Sequence, residues 1–181
     1  MITKLVKEGL VAHTPYQGVQ LSETGLATAS TLIRKHRLWE VFLVEHLGYS
    51  WNEVHDDAEV LEHVTSEILA QRLSTYMADP QICPHGGMIP RAHETVYEKE
   101  RQLLTDFAVG DTLRIARVLD ERELLDYLVT LNIKLGAIYQ ITAIGPDEGP
   151  ITIQDTHGTE VAVSYKACST IFVDQIKGAV D

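Results

Sequence analysis

The sequence lacks three features that would assign it to a special class of proteins. It has no long hydrophobic run, so we expect no segment that spans a bilayer, and no apolar stretch of signal-peptide length follows the early lysines. Its two cysteines, Cys83 and Cys168, are too few for a disulfide framework. With 45% hydrophobic and 23% charged residues over 181 positions, we expect a cytoplasmic globular protein of one large or two small domains.

Basic residues are scarce, and their distribution is uneven. Fifteen Lys and Arg residues against 26 Asp and Glu residues give a formal net charge of −11, which by itself disfavours a nucleic-acid-binding surface. No Lys or Arg occurs from Leu38 to Ala70, although this segment holds eight carboxylates and three histidines. Such a run is usually a solvated helix face, but like charges on one helix cost stability that a bound divalent cation would restore. The segment is therefore a candidate metal site.

The pattern along the chain predicts a helical first half and a β-rich second half. A small β-hairpin is expected from strands at 10–12 and 19–21 around a turn at 15–18. The segment 79–90 contains three prolines and two glycines and must be a loop. Periodicity and capping residues predict helices at 1–8, 22–47, 52–64, 66–77 and 121–131, and a helix or linker at 94–107. Short β-rich runs suit a small barrel and lie at 113–118, 137–144, 151–154, 159–163 and 170–173.

Two of the predicted helices each present imidazole and carboxylate groups on one face. His36 and Glu40 are four residues apart and therefore project from the same side of the first helix. Four donors of the second helix fall within roughly a 100° arc at about 100° per residue. These four are His55, Glu59, Glu62 and His63. Two such helices can converge on one divalent ion.

The donor types indicate which metals and which activities are compatible with the sequence. Carboxylates with imidazoles suit Mn²⁺ or Fe²⁺, and Zn²⁺ can occupy such sites because affinity follows the Irving–Williams order. Cys83 and His85 form a second, looser pair, but no partner pair stands at zinc-finger spacing. A His-Glu-x-x-His peptidase motif, catalytic triads and phosphate-binding loops are also missing. A metallohydrolase, which needs an open metal position beside a base, is therefore disfavoured, and we expect no enzymatic activity.

Three segments occur in a recognisable order along the chain: Arg34–Leu43, His55–Ser66 and Cys83–Pro90. Together they resemble the diphtheria toxin repressor family of metal-dependent transcriptional regulators, and the resemblance covers essentially the whole chain. Glu59 stands where the iron-responsive branch of that family carries a cysteine, so the chain is similar to the manganese-responsive branch. The resemblance implies an α+β protein with a winged helix-turn-helix, an all-α dimerisation and metal-binding domain, and a C-terminal SH3-like small β-barrel.

The resemblance also implies domain boundaries. Residues 1–21 would be the remnant of the winged helix-turn-helix, 22–93 the helical domain, 94–109 a linker and 110–181 the SH3-like domain. Members of the family begin with two further helices and the first part of the recognition helix, so we expect this chain to be a truncated or mis-started reading. Most base-reading residues would then be missing, and the residues matching the end of the recognition helix would be the DNA-contact candidates. These are Thr3, Lys4 and Lys7.

Two metal sites follow from the same resemblance. The regulatory site would draw on Glu59, Glu62 and His63, with His36 close by. A neighbouring site would use Glu40, Cys83, His85 and Asp120. His55 matches a further ligand position, and the sequence leaves open how His36 and His55 are divided between the two sites.

The function implied by the resemblance is that of a homodimeric repressor. It would bind Mn²⁺, with Fe²⁺ as a possible physiological metal, and full-length members would then recognise a palindromic operator near genes of metal uptake. The alternative is a Mn²⁺-binding dimer or fragment that does not bind DNA. Such a protein would sequester metal or form mixed dimers with a full-length regulator.

Overall fold

The computed structural model describes residues 2–14, 18–95 and 102–176, and the chain divides into two compact units. Unit 1 comprises Met1–Tyr49, Asp56–Cys83 and Met88–Glu98, and unit 2 comprises Ser50–His55, Pro84–Gly87 and Lys99–Asp181. Residues 15–17 of the expected turn and residues 96–101 of the expected helix or linker lie outside the described residues. In the described part of the chain, the helices all fall short of the length and apolar character needed to cross a membrane.

The first half of the chain is mainly helical, as predicted. The strands β1 (Val11–Thr14) and β2 (Gly18–Leu21) pair antiparallel, with Val11 opposite Leu21, which confirms the expected hairpin. The elements in chain order are α1 (Ile2–Lys7), β1 (Val11–Thr14), β2 (Gly18–Leu21), α2 (Glu23–Leu47), α3 (His55–Val64) and α4 (Glu67–Tyr76).

Residues at its two ends set the limits of α2. At the N-terminal end, the Ser22 hydroxyl accepts the Gly25 N–H at 2.9 Å and donates to the Gly9 carbonyl at 2.6 Å. Gly25 itself is tightly packed, because a Cβ at this position would lie 1.9 Å from the Leu10 carbonyl oxygen. At the other end, Gly48 ends the helix with a φ of 76°, a left-handed conformation that favours glycine.

The start of α3 differs from the prediction by three residues. A helix from residue 52 was expected, whereas the helix begins at His55. Within unit 2, the Asn52 amide donates to Asp126 Oδ1 at 2.7 Å, and the Trp51 carbonyl accepts a hydrogen bond from His85 Nε2 at 2.6 Å. Because these two residues bond to segments distant in sequence, they lie in a turn ahead of the helix.

The core of unit 1 lies between α2, α4 and the loop 79–90. Its buried side chains are Leu38, Val41, Ala70, Leu73, Cys83 and Ile89. The loop is irregular as predicted, apart from one bridge between Ile82 and Met88. Two arginines of α2 hold the loop, since Arg34 donates to the Pro90 carbonyl at 2.7 Å and Arg37 donates to the Met88 carbonyl.

Unit 2 is built on a six-stranded antiparallel sheet. Its strands are β3 (Gln102–Leu103), β4 (Thr112–Val118), β5 (Ile138–Ile144), β6 (Ile151–Asp155), β7 (Glu160–Val163) and β8 (Ile171–Gln175). They lie in the order β3-β8-β4-β5-β6-β7. A helix after β4 and a short helix before β8 pack with the sheet around one hydrophobic core, in which Leu125, Leu128 and Cys168 are fully buried. The helices are α5 (Arg122–Thr130) and α6 (Tyr165–Cys168).

The sequence predicted five of these strands and α5, but two parts of unit 2 correct it. Of the segment expected to be a helix or linker over 94–107, residues 102–106 form β3 and a single 3₁₀ turn, Leu104–Asp106. Gln102 and Leu103 pair with β8, and this long-range pairing overrides the local helical pattern. Helix α6 was not expected; Ser164 caps it, because its hydroxyl accepts the Ala167 N–H.

Candidate metal centre

The ring of His36 lies between two buried carboxylates of unit 1. Its Nδ1 is 2.7 Å from Glu62 Oε2, and its Nε2 is 3.1 Å from Glu40 Oε1. Glu40 is 1% exposed and Glu62 is 7% exposed, so both carboxylates are largely removed from water. Buried carboxylates are retained in proteins when they are paired or bind metal. His36 and Glu40, whose spacing along α2 was read from the sequence, thus form a cluster with Glu62 of α3.

The other predicted donors of α3 differ in burial. His63 Nε2 lies 3.5 Å from Glu62 Oε1, although the His63 side chain is 61% exposed. Glu59 is also exposed and precedes Glu62 by one helical turn. The structure therefore places Glu62 against His36 in the protein interior and leaves the Glu59 and His63 side chains accessible to solvent.

Contacts that sequence patterns do not reveal hold this cluster in place. The Trp39 indole N–H donates to Thr65 Oγ1 at 2.7 Å and so connects α2 with the end of α3. The loop carrying Cys83 is held by Arg34 and Arg37, and the buried Cys83 sulfur lies within 4.8 Å of a Glu40 carboxylate oxygen. A sulfur donor thereby joins the oxygen and nitrogen donors of unit 1.

Unit 2 has its own group of donors around Asp120. His55 Nδ1 lies 2.7 Å from Asp120 Oδ2, and His85 Nδ1 lies 3.8 Å from Asp120 Oδ1. Asp120, a residue that only the family resemblance singled out, thus faces two imidazoles. The sequence prediction of His55, His85 and Asp120 as donors is consistent with this grouping, and their role as ligands stays a prediction.

The position of His85 fixes which of its ring nitrogens is available to a metal. His85 Nε2 lies 2.6 Å from the Trp51 carbonyl, which can only accept a hydrogen bond, so Nε2 carries a proton. In the neutral ring the lone pair is then on Nδ1, the nitrogen that faces Asp120. Gly86 keeps the backbone close to β4, because a Cβ there would lie 2.2 Å from the Ala116 carbonyl oxygen. A carbonyl that orients a ligating histidine in this way is typical of metal sites.

The residues predicted to contact DNA lie on α1, whose described residues are mostly exposed. Thr3, Lys4 and Lys7 are all exposed, and Lys4 Nζ is 3.9 Å from Glu8 Oε1. Exposed lysines can contact phosphate groups, which position a protein on DNA without reading its sequence.

The donor sets of both units fit a divalent cation. Unit 1 offers carboxylates and imidazoles with one thiol, and unit 2 offers a carboxylate between two imidazoles. Oxygen and nitrogen donors of this kind bind Mn²⁺, Fe²⁺ and Zn²⁺. The arrangement of the described residues can therefore hold metal.

Comparison with known families matches the two halves of the chain to two domain models. Residues 22–91 match the model of the iron dependent repressor, metal binding and dimerisation domain. Residues 102–175 match the FeoA domain. Each family model covers residues of the candidate metal centre: the first covers α2, α3 and the loop 79–90, and the second covers Asp120.

Curated relatives include regulators and one membrane protein. The diphtheria toxin repressor of Corynebacterium glutamicum is 26% identical over 185 residues, which covers 99% of this chain and 78% of the relative. A probable metal transport system membrane protein of Chlamydia trachomatis is 45% identical over 87 residues, or 48% of this chain and 19% of the relative. The chain spans 39% of the iron-dependent repressor IdeR of Mycobacterium tuberculosis, to which it is 37% identical over 89 residues.

Solved structures extend the similarity over nearly the whole chain. The structure of the manganese regulator SloR has a TM-score of 0.88 and 34% identity, and the match covers 97% of this chain and 81% of that chain. A manganese-dependent transcriptional repressor in complex with manganese has a TM-score of 0.88 and 36% identity, with 97% and 82% covered.

Proposed function

Because this chain belongs to the diphtheria toxin repressor family of metal-dependent transcriptional regulators, we propose that it is a Mn²⁺-dependent, DNA-binding repressor of genes for metal uptake. The observation that carries the proposal is the position of His36, whose two ring nitrogens face the buried carboxylates of Glu40 and Glu62. A regulator that responds to metal needs such a cluster of donors. The cluster lies within residues 22–91, which match the metal binding and dimerisation domain.

Manganese is the proposed signal because of the donor chemistry. Glu59 supplies an oxygen donor at the position where the iron-responsive branch of the family carries a cysteine. A site of carboxylates and imidazoles suits Mn²⁺ and Fe²⁺ better than softer metals, although Zn²⁺ can also occupy it. Relatives of known structure support this choice, since they include the manganese regulator SloR and a manganese-dependent transcriptional repressor.

We propose two ions per chain, divided as the resemblance implies. Glu59, Glu62 and His63, with His36, would hold the regulatory ion. The second ion would use the remaining donors, with the place of His55 left open; these donors are Glu40, Cys83, His85 and Asp120. In support, Glu62 contacts both His36 and His63, and Asp120 faces His85.

The helical domain is proposed to form a homodimer. Exposed apolar side chains cluster on α3 and α4, where Val60, Val64 and Ile68 are each at least 66% exposed. Val60 and Val64 are one turn apart and project from the same face of α3. An exposed apolar patch of this kind is typical of a protein interface, and the matching family model is that of a dimerisation domain.

Metal would act by linkage. If the ion binds one arrangement of the DNA-reading segments more tightly than another, it raises the population of the DNA-competent state. Lys4 and Lys7 are proposed to contact phosphate, together with Thr3 on the same helix. The affinity for an operator should then fall as the salt concentration rises.

An anaerobic Mn²⁺ titration of the metal-stripped protein tests the metal assignment by counting bound ions per chain. Two ions, falling to one in Glu59→Ala, would support a regulatory site on α3. Glu45→Ala is the matched control, because Glu45 is an exposed carboxylate of α2 outside the cluster. A single bound ion that is lost in Cys83→Ala but retained in Glu59→Ala would contradict the regulatory site. The absence of any Mn²⁺ binding would overturn the metal assignment.

DNA binding is tested separately by measuring the affinity of the Mn²⁺-loaded protein for duplex DNA at increasing salt concentration. Binding that is lost when the metal is removed and weakens as the salt concentration rises is the expected result. A metal-loaded dimer that does not bind duplex DNA would instead support the alternative, a Mn²⁺-binding protein that does not bind DNA.

A further inference from the structure

Arg34 is a buried cation with neutral hydrogen-bond partners. Arg34 is 7% exposed. Its guanidinium donates to the Pro90 carbonyl at 2.7 Å and to Gln71 Oε1 at 3.4 Å. In the described part of the chain, no carboxylate forms an ion pair with this guanidinium. A guanidinium has five N–H donors, so these two hydrogen bonds leave donors available to a ligand. A largely buried charge without a counter-charge is costly, and an anion bound beside it would relieve that cost.

Two cavities of unit 1 meet at Arg34. Each has a volume of about 390 Å³. Gln71 and Ala92 also line both, so the cavities lie on neighbouring sides of the same arginine. Space for a ligand is therefore available beside the buried charge.

Further basic side chains line these cavities. Arg72 and His93 line one of them, and Arg91 lines the other. One cavity also contains Glu67, but Glu67 forms an ion pair of 2.9 Å with Lys35. The arginines therefore concentrate positive charge at one place on a chain whose formal net charge is −11.

Asp79 is the acidic residue of the second cavity. Its carboxylate accepts the Ser74 hydroxyl at 2.8 Å, and this contact lies inside unit 1. Asp79 thus has a partner other than Arg34, and the guanidinium remains the buried charge that the pocket presents.

We propose that Arg34 is the centre of an anion-binding pocket that takes a small phosphate-bearing anion. The planar guanidinium matches phosphate oxygens in a bidentate geometry, and flanking arginines favour a doubly charged tetrahedral anion over a singly charged carboxylate. The cavity volume leaves room for an organic group attached to the phosphate. This pocket is formed by residues other than the proposed metal ligands, so it is a second ligand site of the helical domain.

Thermal unfolding of the metal-free full chain tests this proposal, with inorganic phosphate as the probe and potassium chloride of equal ionic strength as the reference. At phosphate concentrations about tenfold above the dissociation constant, Tm should rise by about 4 °C relative to chloride. Acetate at the same ionic strength tests the carboxylate alternative and should raise Tm by less than phosphate. Isothermal titration of phosphate into the protein supplies the affinity independently of unfolding.

Variants separate specific binding from the general stabilising effect of phosphate on proteins. Arg34→Lys should abolish the phosphate-specific shift. Should Arg34→Lys fail to fold, the double variant Arg72→Gln and Arg91→Gln removes two exposed charges of the pocket and should weaken phosphate binding at least tenfold. Arg114→Gln with Arg122→Gln is the matched control, because it removes two exposed arginines of unit 2. Equal phosphate shifts in both double variants, or no shift beyond that of chloride in the parent chain, would overturn the proposal.

Discussion

The indole nitrogen of Trp39 lies 2.7 Å from the hydroxyl oxygen of Thr65, which in turn donates to the Leu61 carbonyl at 2.7 Å. One hydroxyl thus serves as acceptor for α2 and as donor within α3. Because His36 of α2 contacts Glu62 of α3, this bond sets the spacing of the two helices on which the donor cluster depends.

Replacing Thr65 by valine should weaken both stability and metal binding. The substitution keeps the shape of the side chain but leaves the Trp39 N–H without its acceptor, at a cost of about 1–2 kcal/mol in the free energy of unfolding. Chemical denaturation measures this cost, and Mn²⁺ titration should show a reduced affinity. Thr28→Val is the control, since the exposed Thr28 hydroxyl bonds only to its own helix and its loss should cost less than about 0.5 kcal/mol. An equal effect of both variants would contradict a coupling role for Thr65.

Gly25→Ala should destabilise the junction between the hairpin and α2. An exposed mid-helix glycine usually gains about 1 kcal/mol when replaced by alanine. Here the new Cβ would lie 1.9 Å from the Leu10 carbonyl oxygen, so the backbone must shift and the free energy of unfolding should fall by about 2 kcal/mol. Gly48→Ala, with a φ of 76° but open space around its Cβ, should cost about 1 kcal/mol from conformational strain alone. A stabilising Gly25→Ala would show that the close approach to Leu10 is absent.

Val64→Glu should dissociate the proposed homodimer. Val64 is 75% exposed, so a glutamate at this position is solvated in the monomer but would be buried at a dimer interface. Sedimentation equilibrium should show a dissociation constant raised at least tenfold. Val129→Glu is the control, because Val129 is 45% exposed on α5 in unit 2. A dimer that is unaffected by Val64→Glu would remove this face of α3 from the interface.

Alkaline pH should destabilise unit 2 through Cys168. Burial raises the pKa of the Cys168 thiol from 9.0 to about 12, so the folded state keeps a proton that the unfolded chain loses above pH 9. The contribution to stability is complete below pH 9 and falls as the pH rises to about 12. Denaturation as a function of pH measures the slope, which should be smaller in Cys168→Ala.

The same burial predicts low reactivity of Cys168. A thiol with a raised pKa is almost fully protonated near neutral pH, and the thiolate is the nucleophile. Iodoacetamide should therefore label Cys168 in unfolded protein but not in native protein, as peptide mass spectrometry can show. Burial also raises the pKa of Tyr139 in the same core, so a residual slope in Cys168→Ala is expected.

Local sequence signals predicted the long helices and the hairpin well. Ser22 and Gly48 mark the ends of α2 through their own capping chemistry, which is why its limits can be read from the sequence. The spacing of His36 and Glu40 likewise follows from helical geometry alone. Interactions within a few residues of each other carry this part of the fold.

Contacts between distant segments account for what the sequence did not reveal. Asn52 and Trp51 bond to residues far along the chain, which delays the start of α3, and Gln102–Leu103 become a strand because β8 provides a partner. Trp39 and Thr65 are 26 residues apart, so no periodic pattern pairs them. Asp120 came from the family resemblance, since a carboxylate at a strand end has no local signature of metal binding.

The position of β8 within the sheet has a consequence for the folding rate of unit 2. This last described strand lies between β3 and β4, so the hydrogen bonds that β3 and β4 form with β8 wait until residues up to Gln175 have been synthesised. The pairs β4-β5, β5-β6 and β6-β7 can form earlier, because each joins consecutive strands. Closure of a long loop then limits the final step, and folding should be slow compared with that of a sheet paired only between consecutive strands.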